Sequence, residues 1–410
     1  MTVSENVTGP SEQGGLESVD APASASTRVA ALTGIRAVAA ILVVLTHAAY
    51  TTGKYPQGYL GLVYSRAEIG VPIFFVLSGF LLFRPWVKAA ASRVSDPAAS
   101  RVSDPAASRV SDPAATEGQA PSVRRYAWHR VRRIMPAYVV TVLLAYLLYH
   151  FRTGGPNPGH SWTGLFRNLT LTQIYTDNYL FSYLHQGLTQ MWSLAVEAAF
   201  YVVLPLLAYL LLVVLCRRRW RPGLLFFGLA LLAAVSPLWL TIVHDSTDLP
   251  DGARLWLPTY MAWFVAGMAL TVLGQLKVRA YGMVCVPLAV VCYFIASTPI
   301  AGEPTTSPAK LSEALVKTFF YAVIAALLVA PPALGDRGWF NRFLASRPMV
   351  FLGEISYEIF LIHLMIMELV MVEVLRIPVY TGSIVSLFVL TMVFTIPAAW
   401  LLHRFTRVRS

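Results

Sequence analysis

The sequence predicts an all-α, polytopic integral membrane protein of about ten transmembrane helices with both termini cytoplasmic. Three observations carry this. Of the 410 residues, 56% are hydrophobic and only 13% are charged, far more apolar than a water-soluble chain of this length. Apolar runs of about twenty residues, the length that crosses a hydrocarbon core, recur along the chain. The basic residues gather in alternate loops, which is how an inserted chain distributes Lys and Arg.

The expected spans lie at roughly 30 to 50, 69 to 87, 134 to 151, 192 to 215, 223 to 243, 255 to 275, 280 to 298, 313 to 333, 349 to 372 and 382 to 402. An even count puts both termini on one side. The loop after the second span carries a run of arginines ending in Arg130, Arg132 and Arg133, and the loop after the fourth carries Arg217, Arg218, Arg219 and Arg221. Lys277 and Arg279 follow the sixth span, Arg337, Arg342 and Arg347 the eighth, and Arg404 and Arg407 the last. The intervening loops carry acids beside fewer bases, as in "HDSTDLPDGAR" at 244 to 254. Short cytoplasmic loops are enriched in Lys and Arg, so the basic face is the cytoplasmic one.

That distribution also accounts for the net charge of +11 without a nucleic-acid partner. Cys216, Cys285 and Cys292 have neither even number nor metal-ligand spacing and read as packing residues; no metal is expected. Residues 1 to 28 lack the basic start and apolar centre of a secretory signal and read as a disordered cytoplasmic tail. The membrane domain is expected over 29 to 410, interrupted by a flexible cytoplasmic insert at 89 to 121. In it the unit "SRVSDPAA" occurs three times, starting at 92, 100 and 108, with no apolar face to bury. The longest connection on the opposite side, 152 to 190, opens on the turn-rich "GGPNPGHSW" and holds Trp162, Tyr175, Asp177, Asn178, Tyr179 and His185. That mixture suits sugar contact, and equally a loop at headgroup level, where Trp and Tyr collect.

Polar residues inside the spans point to function, because each is costly in hydrocarbon. Arg36 and His47 bound "RAVAAILVVLTH" in the first span. Eleven residues apart, they project from one face about 16 Å apart along the axis and could line one cavity. Arg130 and Arg133, one turn apart in "WHRVRRIMPAY", lead into the third span; alone they would pass for topology anchors. Glu197 stands in "MWSLAVEAAFYVVLPL" behind Trp192 and Ser193, a lone carboxylate whose expected partner is an imidazole. "LGEISYEIFLIH" brings Ser356, Tyr357 and His363 into the ninth span, where His363 alone would pass for a helix-packing histidine.

Together these blocks resemble the acyltransferase family 3 membrane proteins, which O-acylate bacterial cell-surface glycans and lipids. The resemblance rests on "LTGIRAVAAILVVLTH", "GVPIFFVLSGFLLF" from Gly70 to Phe83, "HRVRRIMPAY", "MWSLAVEAAFY" and "LGEISYEIFLIH", in the family's order from residue 32 to 363. One departure is Thr33, where the family often has an acidic residue before the glycine. The resemblance implies an acyl-coenzyme A donor, most often acetyl, with no metal, and a hydroxyl acceptor on an envelope glycan or glycolipid. It implies a multi-pass location in the bacterial inner membrane, among its lipids. It also implies His47 as the catalytic histidine, Glu197 as a supporting carboxylate, and Arg36, Arg130 and Arg133 as donor-binding cations. Trp192, Ser193, Ser356, Tyr357 and His363 stand as supporting residues. Arginine forks suit the phosphates of coenzyme A, and imidazole suits the base that a hydroxyl needs near neutral pH. Direct attack by the hydroxyl and passage through an acyl-histidine both fit. A secondary transporter or flippase of an envelope precursor is the rival reading, since buried Arg, His and Glu also build proton relays. Against it, the two halves show no duplication.

Overall fold

In a computed structural model of the chain, residues 21–95, 121–152, 157–246, 248–304 and 310–407 are described. Among them the regular structure is helical, with no strand. Among the described residues, eight helices are long and apolar enough to cross a membrane. In hydrocarbon no water competes for backbone groups, so an apolar run must close its hydrogen bonds within itself, which a helix does.

In chain order the helices are α1 (Ala21–Thr51), α2 (Gly58–Ser65), a 3₁₀ turn at Arg66–Ile69, α3 (Gly70–Ser95), α4 (Val123–Phe151) and α5 (Trp162–Leu169). Then come α6 (Trp192–Tyr209), α7 (Pro222–Ala233), α8 (Val235–Asp245), α9 (Leu257–Gln275) and α10 (Gly282–Ala296). The chain ends with α11 (Leu311–Leu334), α12 (Trp339–Leu344), α13 (Arg347–Glu354), α14 (Ser356–Leu369) and α15 (Ile384–Thr406). The seventh expected span is α10, only 15 residues long. The ninth is broken: Ile355 leaves helical geometry with ψ 7°, and Ser356 Oγ donates to the Gly353 carbonyl at 2.8 Å.

Two expected boundaries shift. Helix α1 starts at Ala21, inside the tail expected to be disordered to residue 28, because the small Ala-rich segment extends a helix already nucleated by the span. Helix α3 likewise runs to Ser95, past the expected start of the insert at 89. The tail up to residue 20 and the repeats beyond Ser95 lie outside the described residues.

Helices α1, α3 and α9 form the centre. Within the best apolar window, 72% of the α2–α3 run, 61% of the run ending in α9 and 56% of α1 are buried, against 17% of the α7–α8 run at the rim. Close crossings explain the centre. A Cβ on Gly267 of α9 would overlap the Val76 carbonyl of α3, and one on Gly79 of α3 would overlap the Phe264 carbonyl of α9. Two glycines facing each other's backbone let the helices approach closely, the small-residue packing that lipid favours. The same device brings α13 to α1, where a Cβ on Gly353 would strike the Thr33 carbonyl.

The connection at 157–190 divides between exposed and packed residues. Trp162 is 87% exposed, whereas Tyr179 and His185 are buried at 4% and 2%, and the His185 ring stacks on Tyr146 at 4.5 Å. His185 and Tyr179 therefore hold the loop down and are withdrawn from sugar contact. Replacing Gly267 with Leu is expected to force α3 and α9 apart at a cost of about 3 kcal/mol or more. Size-exclusion profile and thermal melting of the detergent-purified protein would check it, with Gly223→Leu, at a position with open space, as the tolerated control.

Candidate active site

Arg36 enters the centre because α1 does. Two turns inside its basic end, the guanidinium lines a cavity of about 310 Å³ between α1, α3, α4, α6 and α14. Arg130 and Arg133 of α4 line the same cavity, as do Glu197, Ser193, Ser356 and Tyr357. Three guanidiniums face one carboxylate, and that carboxylate is engaged. Tyr201, one turn beyond Glu197 on α6, donates its hydroxyl to Oε1 at 2.5 Å. Ser78 of α3 donates to the same oxygen. The cavity is thus net cationic, and Arg130 Nε is buried without a hydrogen-bond partner. A buried charged donor left unpaired is costly; an anion entering the cavity would relieve it.

Glu197 does not orient a histidine. Its carboxylate accepts from Tyr201 and Ser78 and lines the cavity of the arginines, which does not include His47. Ser193 Oγ donates to the Gln190 carbonyl at 3.2 Å and Tyr357 to the Ile134 carbonyl at 3.0 Å, so both brace the cavity wall. Trp192 lies outside the cavity lining and packs on Tyr260 at 5.2 Å.

His47 lies outside it too. Eleven residues beyond Arg36 it meets His363 of α14, with ring centroids 5.0 Å apart. The expectation of one open cavity shared by Arg36 and His47 is therefore corrected: the cavity that Arg36 lines does not include His47. Phe74 and Phe360 line the cavity and meet edge to face at 6.3 Å, and Phe360 lies 6.1 Å from the His363 ring.

The hydrogen bonds of the pair determine its protons. His363 Nδ1 lies 2.8 Å from the Phe360 carbonyl and 3.1 Å from that of Ile359. A carbonyl only accepts, so Nδ1 carries the hydrogen and Nε2 of the neutral ring is an acceptor. His47 Nδ1 lies 2.7 Å from the Val43 carbonyl and 3.3 Å from His363 Nε2. Both partners accept, so His47 Nδ1 donates and its Nε2 keeps a free lone pair. A backbone carbonyl and a second imidazole together hold the first in one tautomer, the arrangement by which a carboxylate orients the histidine of hydrolytic triads. His363 is thereby more than a packing residue.

Sequence reading missed Tyr201 and Ser78. Tyr201 was visible as a polar residue one turn from Glu197, and Ser78 as the polar position of "VLSGF". Neither is unusual until the fold sets both on one oxygen.

Residues 29–404 match the family model described as an acyltransferase domain. The chain is 26% identical over 355 residues to the acyltransferase MdmB of Streptomyces mycarofaciens, covering 83% of this chain and 79% of that protein. It is 25% identical over 371 residues to the peptidoglycan O-acetyltransferase OatA of Listeria monocytogenes, covering 83% of this chain and half of that protein's length. No solved structure matches.

In nitrogen-15 histidine spectra near neutral pH, His47 is expected as the Nδ1-protonated tautomer. His363→Phe, which removes the second acceptor, is expected to shift the His47 resonances toward a tautomer mixture; an unchanged spectrum would assign the tautomer to Val43 alone.

Proposed function

This chain belongs to the acyltransferase domain family and is a multi-pass membrane O-acyltransferase; from that premise we propose that it moves an acyl group, acetyl foremost, from acyl-coenzyme A to a hydroxyl of an envelope glycan or glycolipid. The basic end of the bundle faces the cytoplasm of a bacterium, and the acceptor is met near the opposite face of the inner membrane. The observation that carries this reading is the division of one helix between two chemistries, three arginines at one end and a base held ready at the other.

The cationic cavity suits the phosphate-bearing donor. Its volume of about 310 Å³ is at the small end for ligand sites, so it takes the arm of the cofactor while the nucleotide stays at the basic rim. Arg36, Arg130 and Arg133 hold phosphate oxygens as forked donors. Glu197, itself fixed by Ser78 and Tyr201, keeps the guanidiniums in register. The arm then extends along α1, where the rise of about 16 Å from Arg36 to His47 separates phosphate from thioester. It passes the Phe74–Phe360 pair by displacing those rings.

At the far end, His47 Nε2 accepts the proton of the acceptor hydroxyl as its oxygen bonds to the thioester carbonyl carbon. The carbon–sulfur bond then breaks, and the thiolate of coenzyme A leaves with the proton from the imidazolium. His363 holds His47 in the required tautomer throughout. Direct transfer needs no second covalent step, and the free lone pair on Nε2 suits a general base.

With radiolabelled acetyl-coenzyme A and envelope extract, the purified wild type is expected to label carbohydrate or glycolipid. His47→Ala is expected to lose about a thousandfold of that rate, and undiminished transfer would remove His47 from the mechanism. Arg130→Ala and Arg133→Ala are each expected to weaken coenzyme A binding in calorimetry about ten- to a hundredfold. Binding as tight as wild type would leave them as topology anchors.

A further inference from the structure

A second cavity, of about 300 Å³, opens at the basic end of the bundle where α1, α9 and α11 meet. It shares no lining residue with the arginine cavity. Three of its residues are cations: Arg28 of α1, and Lys277 and Arg279 in the turn between α9 and α10. The others are glycine, valine and leucine, and no acid lines it. Arg28 stands eight residues before Arg36, about 12 Å nearer the basic end of the helix.

The charge in this cavity is unanswered. Arg28 Nη2 donates to the Ala333 carbonyl near the end of α11, while its Nε is buried without a hydrogen-bond partner. Among the described residues, the side chains of Lys277 and Arg279 make no hydrogen bond or ion pair. Nor are they needed to close α9, because the carbonyls of Val272, Leu273 and Gly274 already accept from the backbone N–H groups of Leu276, Val278 and Lys277. Asp336, next in sequence to the lining residue Gly335, is spent elsewhere. It accepts from the backbone N–H groups of Gly282 at 3.1 Å and Gly338 at 3.0 Å. Three cations around one cavity, with a buried donor unpaired, make a site that an anion would complete.

We propose that Arg28, Lys277 and Arg279 bind a phosphate group, that of an anionic phospholipid headgroup, at a site separate from the donor cavity. The site does not depend on the transfer reading. Phosphate oxygens accept readily from guanidinium and ammonium donors, and basic pockets between membrane helices are where such headgroups settle. The surroundings favour a lipid over a soluble phosphate. Val278, in the lining, is 42% exposed. Helix α10 starts at Gly282, just beyond Arg279, and carries Val284, Leu288, Val291 and Ile295, each at least 41% exposed. Spaced by four, three and four residues, these form one apolar stripe, along which an acyl chain lies once its headgroup is held.

The test uses the full chain in detergent, titrated with dioleoylphosphatidylglycerol or dioleoylphosphatidylcholine and read by native mass spectrometry. Wild type is expected to retain one phosphatidylglycerol under conditions that strip phosphatidylcholine. Lys277→Gln combined with Arg279→Gln is expected to weaken that retention about tenfold or more, roughly fivefold for each cation. Gly274→Leu keeps the charge but fills space in the lining, where a Cβ meets only Leu334 Cδ2 at 3.4 Å, and is expected to weaken it as well. Coenzyme A binding by these variants is expected to match wild type, as is phosphatidylglycerol retention in the charge-matched double variant Arg342→Gln and Arg347→Gln. Equal retention of both lipids by wild type, or unchanged retention in the Lys277 and Arg279 double variant, overturns the site. An equal loss in the Arg342 and Arg347 double variant reduces it to diffuse surface charge and overturns it too. Glycerol 1-phosphate that binds as tightly as the lipid, or coenzyme A binding that falls with the cavity variants, assigns the phosphate to a soluble ligand and overturns the lipid.

Discussion

Everything in this molecule follows from the absence of water along most of α1. A guanidinium or imidazole in hydrocarbon has no partner but protein, so a span that carries Arg36 and His47 must lie at the centre of the bundle and bring partners to both. The glycine crossings of α3 with α9 and of α13 with α1 make that centre dense enough to hold them. The rim helices carry their His and Arg near the ends, as His244 in α8 and His403 and Arg404 in α15, with apolar side chains between.

The same constraint divides the site. Guanidiniums need anions and hydration, so they collect at the basic end around the Glu197 carboxylate. An imidazole that is to act as a base needs the reverse: a dry neighbourhood, an acceptor for one nitrogen and nothing on the other. His47 has these in the Val43 carbonyl and His363 Nε2. Phe74 and Phe360, edge to face in the wall of the arginine cavity, stand on its His363 side.

At the other end of the bundle, the Arg66–Ile69 turn sets Glu68 against Lys317 and Tyr321 of α11. Fixed hydrogen bonds from Arg66 and Thr46 hold this turn against α10 and α1. Its charge thereby keeps a constant position relative to the imidazole.

Hydropathy alone established the helical membrane class, because apolar length and loop charge are local properties of the chain. The ordered motifs established the family and drew attention to Arg36, His47, Arg130, Arg133 and Glu197. What the fold decided was partnership. Glu197 went to Tyr201 and Ser78 in the cavity of the arginines, although an imidazole was its expected partner; His363 came to His47 from 316 positions away; and Glu68 met Lys317 of α11. Helical periodicity reports which face a side chain occupies but not which helix will face it, since that depends on where small residues let backbones approach. Chemistry that needs two groups at hydrogen-bond distance was therefore legible in sequence as residues, and only in three dimensions as pairs.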